Sequence, residues 1–224
     1  MLFRQVQQYV LLAPSPSALQ DLLDCCEEYA RLFDIIYNVK KTFCMCIKPK
    51  CYKDLQVPTF YLNRRSLTFT SEQKYLGFMM TDAFTDDNDI TRQMKYMYCV
   101  GNSLVRNFKH CNDEVKLQLF KTYCTNFYCC QLWSVYKNNT MNKLRVAYNN
   151  VFRNMFKLAR DASISYSMLL CNLEGFQAVV RKQSYGFRQR IYHIDNFLVK
   201  TIVNSMSFST NKINIMWINN LFKL

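Results

Sequence analysis

The sequence predicts an α+β fold, in which a small antiparallel sheet with one packed helix precedes an all-helical bundle. Three observations support this prediction. Short runs of β-branched and aromatic residues occupy the first third of the chain, apolar residues at helical spacing occupy the remainder, and positive charge is concentrated in that remainder. Half of the 224 residues are hydrophobic and only four are glycine, so the chain can bury a core and form one or two domains.

The chain opens with an apolar strand, a Pro/Ser turn and a helix. The stretch QVQQYVLLAPSPSAL covers residues 5–19, and Ser17 with Gln20 has the form of a capping box. The helix is expected to end near Asp34. Its apolar residues recur at helical spacing: Leu19, Leu22, Leu23, Cys26, Ala30 and Phe33.

Short strands are predicted next. The segments DIIYN and KKTFCMCI, residues 34–47, favour one or two strands, and residues 48–58 form a connection that contains two prolines. TFYLNRRSLTFT indicates two strands around a turn at residues 63–66, and KYLGFMMT a third strand that ends at Thr81. Together they predict a small antiparallel sheet.

The helical part follows the acidic segment TDDND. Asp86, Asp87 and Asp89 are predicted to lie in a solvated loop or at a helix N-terminus. A seven-residue rhythm from Ile90 to Phe108 then predicts a long helix. The change in pattern near residues 82–89 divides the chain into domains 1–85 and 86–224.

Three further long helices and a shorter one are predicted. The second long helix is capped by Asn112 or Asp113, the third follows Asn139, and the last thirty residues are weakly helical. The apolar residues expected to face the core of the second helix are Val115, Leu119, Tyr123, Phe127 and Cys130. Those of the third are Leu144, Tyr148, Val151, Met155 and Phe156. A shorter helix at residues 163–170 precedes the fourth, whose apolar residues are Phe176, Val179, Val180, Phe187 and Ile191.

Positive charge is confined to the helical part. Residues 1–90 carry 10 Lys/Arg against 11 Asp/Glu, a net charge of −1, whereas residues 91–224 carry 19 against 5, a net charge of +14. Such asymmetry indicates a polyanionic partner, either nucleic acid or an anionic membrane surface. The alternative is a solvated basic face that keeps the protein in solution.

The eleven cysteines indicate a reducing compartment. Their number is odd and they include no CxxC pair, so reduced thiols in an intracellular protein, cytoplasmic or nuclear, are expected. We predict that they are small core residues. The chain has only two histidines, His110 and His193, so few nitrogen ligands are present for a zinc site. No apolar run is long enough to span a bilayer, and the N-terminal one is too short for a secretion signal.

Several blocks, in this order, resemble the end of the reverse transcriptase of non-LTR, LINE-type retrotransposons, particularly the jockey-like groups. LLAPSPSALQDLLDCCEEYA is similar to the segment that follows the catalytic Tyr-Ala-Asp-Asp strand, NVKKTFCM to the next motif and KYLGF to the primer-grip hairpin. EVKLQLFKTYCTNFYCCQLW, LRVAYNNVFR and RKQSYGFRQR are similar to helices of the thumb and adjoining region. The resemblance implies a partial palm in residues 1–85 and a thumb in residues 86–224.

The resemblance places Gln7 and Gln8 at the two catalytic aspartates of an RNA-directed DNA polymerase. The family uses Mg²⁺ for in-line phosphoryl transfer, and hard cations are normally held by carboxylates rather than by neutral amides. We therefore expect neither a metal site nor a cofactor in this chain, and no polymerase activity. The fingers and the earlier palm aspartate lie upstream in the family, so the resemblance further implies a truncated relative or a gene fragment.

Three groups of residues take possible roles from the same resemblance. Lys40 or Lys41 would lie near the phosphates of the incoming nucleotide, although without a metal site a pair of exposed cations in a tight turn describes them better. The primer-grip-like residues are Tyr75, Leu76, Gly77 and Phe78. Gly77 would allow close approach of the backbone to a primer, or would be a bulge between core aromatic residues.

The thumb-like helices contribute the third group, cations that point away from the apolar stripes. They are Lys116, Lys121, Lys143, Arg145, Arg153, Lys157, Arg160, Arg181, Lys182, Arg188 and Arg190. Contacts of such residues with phosphates predict nonspecific, salt-sensitive binding of RNA, DNA or their hybrid. The aromatic residues among them are expected in the core rather than stacked on bases: Phe120, Tyr123, Phe127, Tyr128 and Trp133.

Three functions remain open from the sequence. The first is an inactive relative of reverse transcriptase, the second a noncatalytic module that binds nucleic acid, and the third a basic region that maintains solubility or touches anionic lipid.

Overall fold

The computed structural model describes residues 9–47 and 56–222, and it combines a majority of helix with short strands. The α+β class predicted from the sequence is therefore confirmed. The chain forms two compact units, residues 1–73 and 74–224.

The boundary between the units lies twelve residues before the predicted one at 85/86. The hairpin at residues 72–81, which precedes the helix that begins at Asp87, belongs to the second unit because it is hydrogen-bonded to the helical part of that unit. The backbone N–H of Met79 donates to Asp89 Oδ1 at 3.2 Å, and the Tyr128 hydroxyl donates to the carbonyl of Leu76 at 2.7 Å. Hydrogen bonds between residues distant in sequence thus decide where the unit begins.

The first helix, α1, spans Pro16–Leu32. It is capped by Ser15, whose hydroxyl accepts from the backbone N–H three residues later at 3.2 Å, and proline suits the position that follows. The predicted capping box of Ser17 and Gln20 is therefore wrong. The amide of Gln20 instead donates to the carbonyl and accepts from the N–H of Tyr61, both at 3.1 Å, so it joins α1 to a strand.

Four strands of two residues each belong to the first unit: β1 at Phe43–Cys44, β2 at Tyr61–Leu62, β3 at Arg65–Ser66 and β4 at Thr68–Phe69. β2 and β3 are antiparallel around Asn63 and Arg64, whose φ angles of 51° and 57° suit a tight hairpin. The turn is shorter than the predicted one at residues 63–66, because Arg65 and Ser66 form β3. β1, however, pairs with β4 in parallel. The predicted antiparallel sheet is therefore wrong here. The chain ends its pairing with β2 at Ser66, and from Thr68 it pairs with β1 instead.

Two predicted strands of the first unit are also absent from the described residues. Residues 9–13 and 34–38 contain no strand, and a 3₁₀ turn at Val39–Lys41 follows the second segment. The core of this unit is small. Its buried residues are Leu23, Cys44, Phe60, Leu62 and Leu67.

In the second unit, a hairpin precedes the predicted helices. The hairpin consists of β5 at Glu72–Tyr75, which begins two residues before the boundary, and β6 at Phe78–Thr81. The helices are α2 at Asp87–Asn107, α3 at Asp113–Cys124, α4 at Asn138–Met155, α5 at Ile164–Leu170, α6 at Phe176–His193, α7 at Phe197–Val203, α8 at Met206–Ser209 and α9 at Lys212–Phe222. A 3₁₀ turn at Cys130–Leu132 lies between α3 and α4. All the predicted helices are confirmed, including the cap of α3 by Asn112.

The buried face of α3 differs from the predicted one. Phe120 and Cys124 are fully buried, whereas Val115 and Tyr123 are 43% and 50% exposed. The predicted stripe joined residues of two elements, since the helix ends at Cys124 and the buried Phe127 lies beyond it. Because the apolar spacing was extended beyond Cys124, where the helix ends, it predicted the wrong face of α3 to be buried.

The core of the second unit forms where α2 packs against α4. Around this pair, aromatic rings contact one another: the ring of Phe120 lies 5.2 Å from that of Tyr148 and 5.3 Å from that of Phe152, between centroids. Tilted and edge-on pairs at such distances stabilise a core beyond the area that they bury. Tyr148 keeps its hydroxyl bonded, since it donates to the carbonyl of Glu174 at 2.7 Å.

Two of the three aspartates at the start of α2 are buried rather than solvated. Asp86 and Asp89 are 7% and 0% exposed, although both lie at a helix N-terminus as predicted. Asp86 accepts two hydrogen bonds of 2.7 Å from the backbone N–H groups of Ser134 and Val135. Burial raises the pKa of the Asp86 carboxyl, and those two donors oppose the rise. The segment therefore fixes the chain before α4 against the start of α2.

The cysteines are only partly core residues. Cys44, Cys124 and Cys130 are buried, and burial raises the pKa of the last two thiols to about 12, so that they stay protonated at neutral pH. Cys25 and Cys99 are exposed, against the prediction. Among the residues described, no group of three or more His, Cys, Asp or Glu could hold a metal ion. None of the described helices is long and apolar enough to cross a membrane.

Candidate nucleic-acid interface

Helix α6 is the most basic element of the second unit. Its eighteen residues include Arg181, Lys182, Arg188 and Arg190 and no acidic residue. Phe176, Val179, Val180 and Ser184 are buried and define its inner side. Helical periodicity therefore distributes the four cations over the remaining surface of the helix.

One side of α6 alternates arginine and tyrosine. Arg181, Tyr185, Arg188 and Tyr192 follow the spacing of four, three and four residues that places side chains along one face of a helix, and we call this set the α6 stripe. Tyr185 and Tyr192 are 48% and 42% exposed. The guanidinium carbon of Arg188 lies 4.7 Å from the centre of the Tyr192 ring, which is a cation–π contact.

A different side of α6 lines an open cleft of about 570 Å³. Lys182, Gly186 and Arg190 contribute from the helix, and residues 125–129 with Gln131 form the other wall. Lys182 Nζ lies 2.7 Å from a carboxylate oxygen of Glu174, so one of the two cations in the cleft is already paired with an acid. The cleft is therefore a weaker anion site than the number of its cations suggests.

The α4 cations do not form one surface. Lys143 and Arg145 are exposed, but residues two apart on a helix point in divergent directions. Arg153 is partly buried, and one of its terminal nitrogens donates to Asn150 at 3.3 Å. Beyond the helix, Lys157 and Arg160 are exposed, the former with a φ of 52°: the cations at this end of α4 lie in a turn rather than on the helix.

Two buried guanidinium nitrogens have no acceptor among the described residues, Nε of Arg153 and Nε of Arg188. A buried donor without an acceptor costs free energy, so replacing either arginine removes that cost along with the charge. Lys116, by contrast, is largely covered: its side chain is 14% exposed and its Nζ lies 3.2 Å from Asp113. The prediction that it points away from the protein is wrong, whereas Lys121 is exposed as expected.

The primer-grip-like residues form the turn of the β5–β6 hairpin. Leu76 and Gly77 have φ angles of 45° and 85°, so Gly77 lies in a turn and is not a strand bulge. A Cβ on Gly77 would lie 2.6 Å from Cε1 of Tyr128, whose ring covers the turn. Phe78 packs against the main core and Tyr75 is partly buried. Glycine suits this turn for two reasons: its φ angle is positive, and the ring of Tyr128 leaves no room for a side chain.

The remaining predicted site residues lie in the first unit. Lys40 and Lys41 are both exposed in the 3₁₀ turn at Val39–Lys41. Gln7 and Gln8 lie outside the described residues.

The exposed tyrosines of α6 were not among the predicted site residues. The segment RKQSYGFRQR was predicted to supply cations alone, although the spacing of tyrosine and arginine is present in RKQSYGFRQRIYH. Tyr123 and Tyr128 were predicted to be core residues, and both are about half exposed. Phe120, Phe127 and Trp133 are buried as predicted.

Comparison of the chain with known proteins finds no matching family model, no matching curated protein and no matching solved structure.

Proposed function

We propose that the second unit binds the backbone of nucleic acid without reading its sequence. The observation that carries this proposal is the charge of α4 to α6. Residues 137–193 carry ten Lys/Arg against two Asp/Glu, a net charge of +8. One of the two acids, Glu174, is paired with Lys182. Exposed cations in excess of acids release counterions when they meet phosphates, and this supplies affinity that is independent of sequence.

The arrangement of the cations supports nonspecific binding. Lys143 and Arg145 lie on different sides of α4, Arg160 lies in the segment beyond that helix, and each of the three is exposed. A divergent set of cations contacts phosphates along a strand more readily than it reads base edges, since base readout needs several groups converging in one groove. Backbone binding is therefore the role that the second unit supports best.

The resemblance to LINE-type reverse transcriptases agrees with this role, since the thumb of that family holds its nucleic acid in a similar manner. Under the same resemblance, we propose that the chain is a noncatalytic relative of RNA-directed DNA polymerases. The donor chemistry at Gln7 and Gln8 does not fit Mg²⁺, because neutral amide oxygens replace the two carboxylates. No step of nucleotide addition is therefore assigned to this chain.

The charge variant Lys143→Gln, Arg145→Gln and Arg160→Gln is expected to weaken binding to a 20-base-pair RNA–DNA hybrid about ten-fold or more near 0.1 M salt. Each lost phosphate contact should also reduce the slope of log affinity against log salt by up to about 0.9. Fluorescence anisotropy of a labelled hybrid over a salt series measures both quantities.

The matched control for charge is the triple replacement of Arg31, Arg64 and Arg65 by Gln. These arginines are exposed in the first unit, so the control removes the same net charge from outside the proposed interface. We expect it to change affinity by less than about two-fold. Equal losses in both triple variants would reject the proposed interface, as would an unchanged affinity in the first.

Primer extension tests the absence of polymerase chemistry. The purified chain, with a primed RNA template and either Mg²⁺ or Mn²⁺, is expected to incorporate no nucleotide. The variant Gln7→Asp with Gln8→Asp is the informative comparison, since it restores the carboxylates at the two positions. Metal-dependent extension by the unaltered chain would refute the proposal of inactivity.

A further inference from the structure

The α6 stripe contains two tyrosines whose exposure is not explained by packing. Tyr185 and Tyr192 are about half exposed, while the inner side of the same helix is buried by Phe176, Val179 and Val180. The helix therefore has its core contacts already, and these two rings are additional. In a basic helix, exposed aromatic rings next to arginine are the combination that binds unpaired bases together with their phosphates.

The spacing within the stripe suits a strand rather than an isolated anion. Tyr185 and Tyr192 are seven residues apart, which corresponds to about 10.5 Å along a helix of 1.5 Å rise per residue. Arg188 lies between them in sequence and its guanidinium covers one side of the Tyr192 ring at 4.7 Å. Arg181 extends the same face by one turn before Tyr185. Rings and cations thus alternate along the helix as bases and phosphates alternate along a strand.

We propose that the α6 stripe binds single-stranded nucleic acid, with Tyr185 and Tyr192 stacking on unpaired bases and Arg181 and Arg188 contacting the neighbouring phosphates. This inference rests on the proposed function and names the form of nucleic acid that the second unit prefers. Bases in a duplex have both faces covered by their neighbours, so only unpaired bases are available to a protein ring. Stacking is tolerant of sequence, in agreement with backbone binding elsewhere on the unit.

An anionic membrane is the less suitable occupant of this face. A helix that lies on a membrane buries an apolar face in the lipid boundary. The aliphatic residues Val179 and Val180 of α6 are buried within the protein, and the stripe itself has only arginine and tyrosine. Its charge complements phosphate, and its rings complement bases.

The test compares a 20-nucleotide oligouridine with an RNA–DNA hybrid of the same length. The double variant Tyr185→Leu and Tyr192→Leu removes both rings but keeps apolar side chains and the net charge. We expect it to weaken binding of the single strand about ten-fold or more, and binding of the hybrid by less than about two-fold. The salt slope should not change, because no cation is lost.

Two controls separate stacking from other effects. Tyr185→Phe with Tyr192→Phe keeps the rings and should retain the affinity for the single strand. Tyr166→Leu replaces a tyrosine that is 61% exposed on α5, outside the stripe, and should have no effect. Similar losses for single strand and hybrid, or an unchanged affinity for the single strand in the leucine variant, would overturn the proposal.

A second measurement does not depend on the folding of a variant. Oligouridine carrying 4-thiouridine, irradiated in complex with the unaltered protein, is expected to form cross-links at Tyr185 or Tyr192. Cross-links confined to other parts of the chain would overturn the inference.

The outcomes distinguish this inference from the proposed function. If the charge variant weakens binding of both nucleic acids while the leucine variant weakens neither, backbone binding stands and the stripe has no part in it. If the unaltered protein binds neither nucleic acid, both proposals fail. If vesicles of phosphatidylserine and phosphatidylcholine bind the protein, and only that binding requires the two tyrosines, the stripe is a membrane contact and the inference is rejected.

Discussion

Replacement of Asp89 by alanine is expected to lower the free energy of unfolding of the second unit by about 3 kcal/mol or more. Asp89 is fully buried. Its carboxylate accepts from Nε1 of Trp133 at 2.8 Å and from the backbone N–H of Met79 at 3.2 Å, and it pairs with Arg92 at 2.6 Å. Removing the carboxylate leaves the indole and backbone donors buried without an acceptor, and each such donor costs about 1–3 kcal/mol.

The contribution of Arg92 to this loss is smaller. Its side chain is 30% exposed, so its guanidinium can turn to solvent once the carboxylate is gone. The variant Asp89→Asn should have an intermediate effect, because one oxygen remains while the new amide hydrogens meet donors. The loss is therefore attributed mainly to the hydrogen bonds that join the hairpin, α2 and the segment before α4.

Urea denaturation followed by tryptophan fluorescence measures this effect in the relevant unit. Trp133 and Trp217 are the two tryptophans of the chain, and both belong to the second unit. The control is Asp113→Ala, which removes an exposed carboxylate 3.2 Å from Lys116 and should cost less than about 1 kcal/mol. If both alanine variants unfold at the same urea concentration, the hydrogen bonds of Asp89 do not stabilise the second unit as predicted.

Replacement of Gly101 by alanine is expected to destabilise the second unit by about 1–3 kcal/mol, although alanine is the better helix former. Gly101 lies on α2 where that helix meets α4. A Cβ at this position would lie 2.6 Å from both Cγ1 and Cγ2 of Val151. The two helices would have to separate or the valine would have to leave its preferred conformation, and a packed core resists both.

The matched control for Gly101 is Gly186 of α6. A Cβ on Gly186 would meet only a terminal nitrogen of Arg190, at 3.6 Å, which is an ordinary contact. Gly186→Ala should therefore stabilise the protein by about 0.5–1 kcal/mol through helix propensity alone. Opposite signs for the same substitution in two helices would isolate the steric term.

A double-mutant cycle provides the decisive comparison for this helix pair. Val151→Ala alone opens a cavity and costs stability, but in the presence of Gly101→Ala it makes room for the new methyl group. The double variant should be more stable than the sum of the two single losses predicts. Additive losses would show that Val151 is not what excludes a side chain at Gly101.

The helices of the second unit could be predicted because their signals are local. Asn112 caps α3 through a hydrogen bond to a backbone N–H only three residues away, and Ser163 caps α5 in the same way. The apolar period of α4, which includes Leu144, Tyr148 and Val151, matches its buried residues. A pattern confined to one helix needs no knowledge of the rest of the chain.

The candidate site was predictable only in part. The residues of the α6 stripe and their spacing are present in the sequence, and helical periodicity is enough to place these four side chains along one side. The pairing of Lys182 with Glu174, eight residues away and outside the helix, is not given by that periodicity. Nor is the cover of the hairpin turn by Tyr128, which is 52 residues from Leu76.

The sequence by itself determined the α+β class, the positions of the helices in the second unit, and the concentration of positive charge there. Tertiary structure alone decided that two-residue strands pair in parallel as well as antiparallel, that Asp86 and Asp89 at the start of α2 are buried, and that the hairpin belongs to the helical unit. The physical reason is the range of the interactions. Caps and apolar periods act within a few residues, whereas the buried Asp89 accepts a hydrogen bond from Trp133, 44 residues further along the chain.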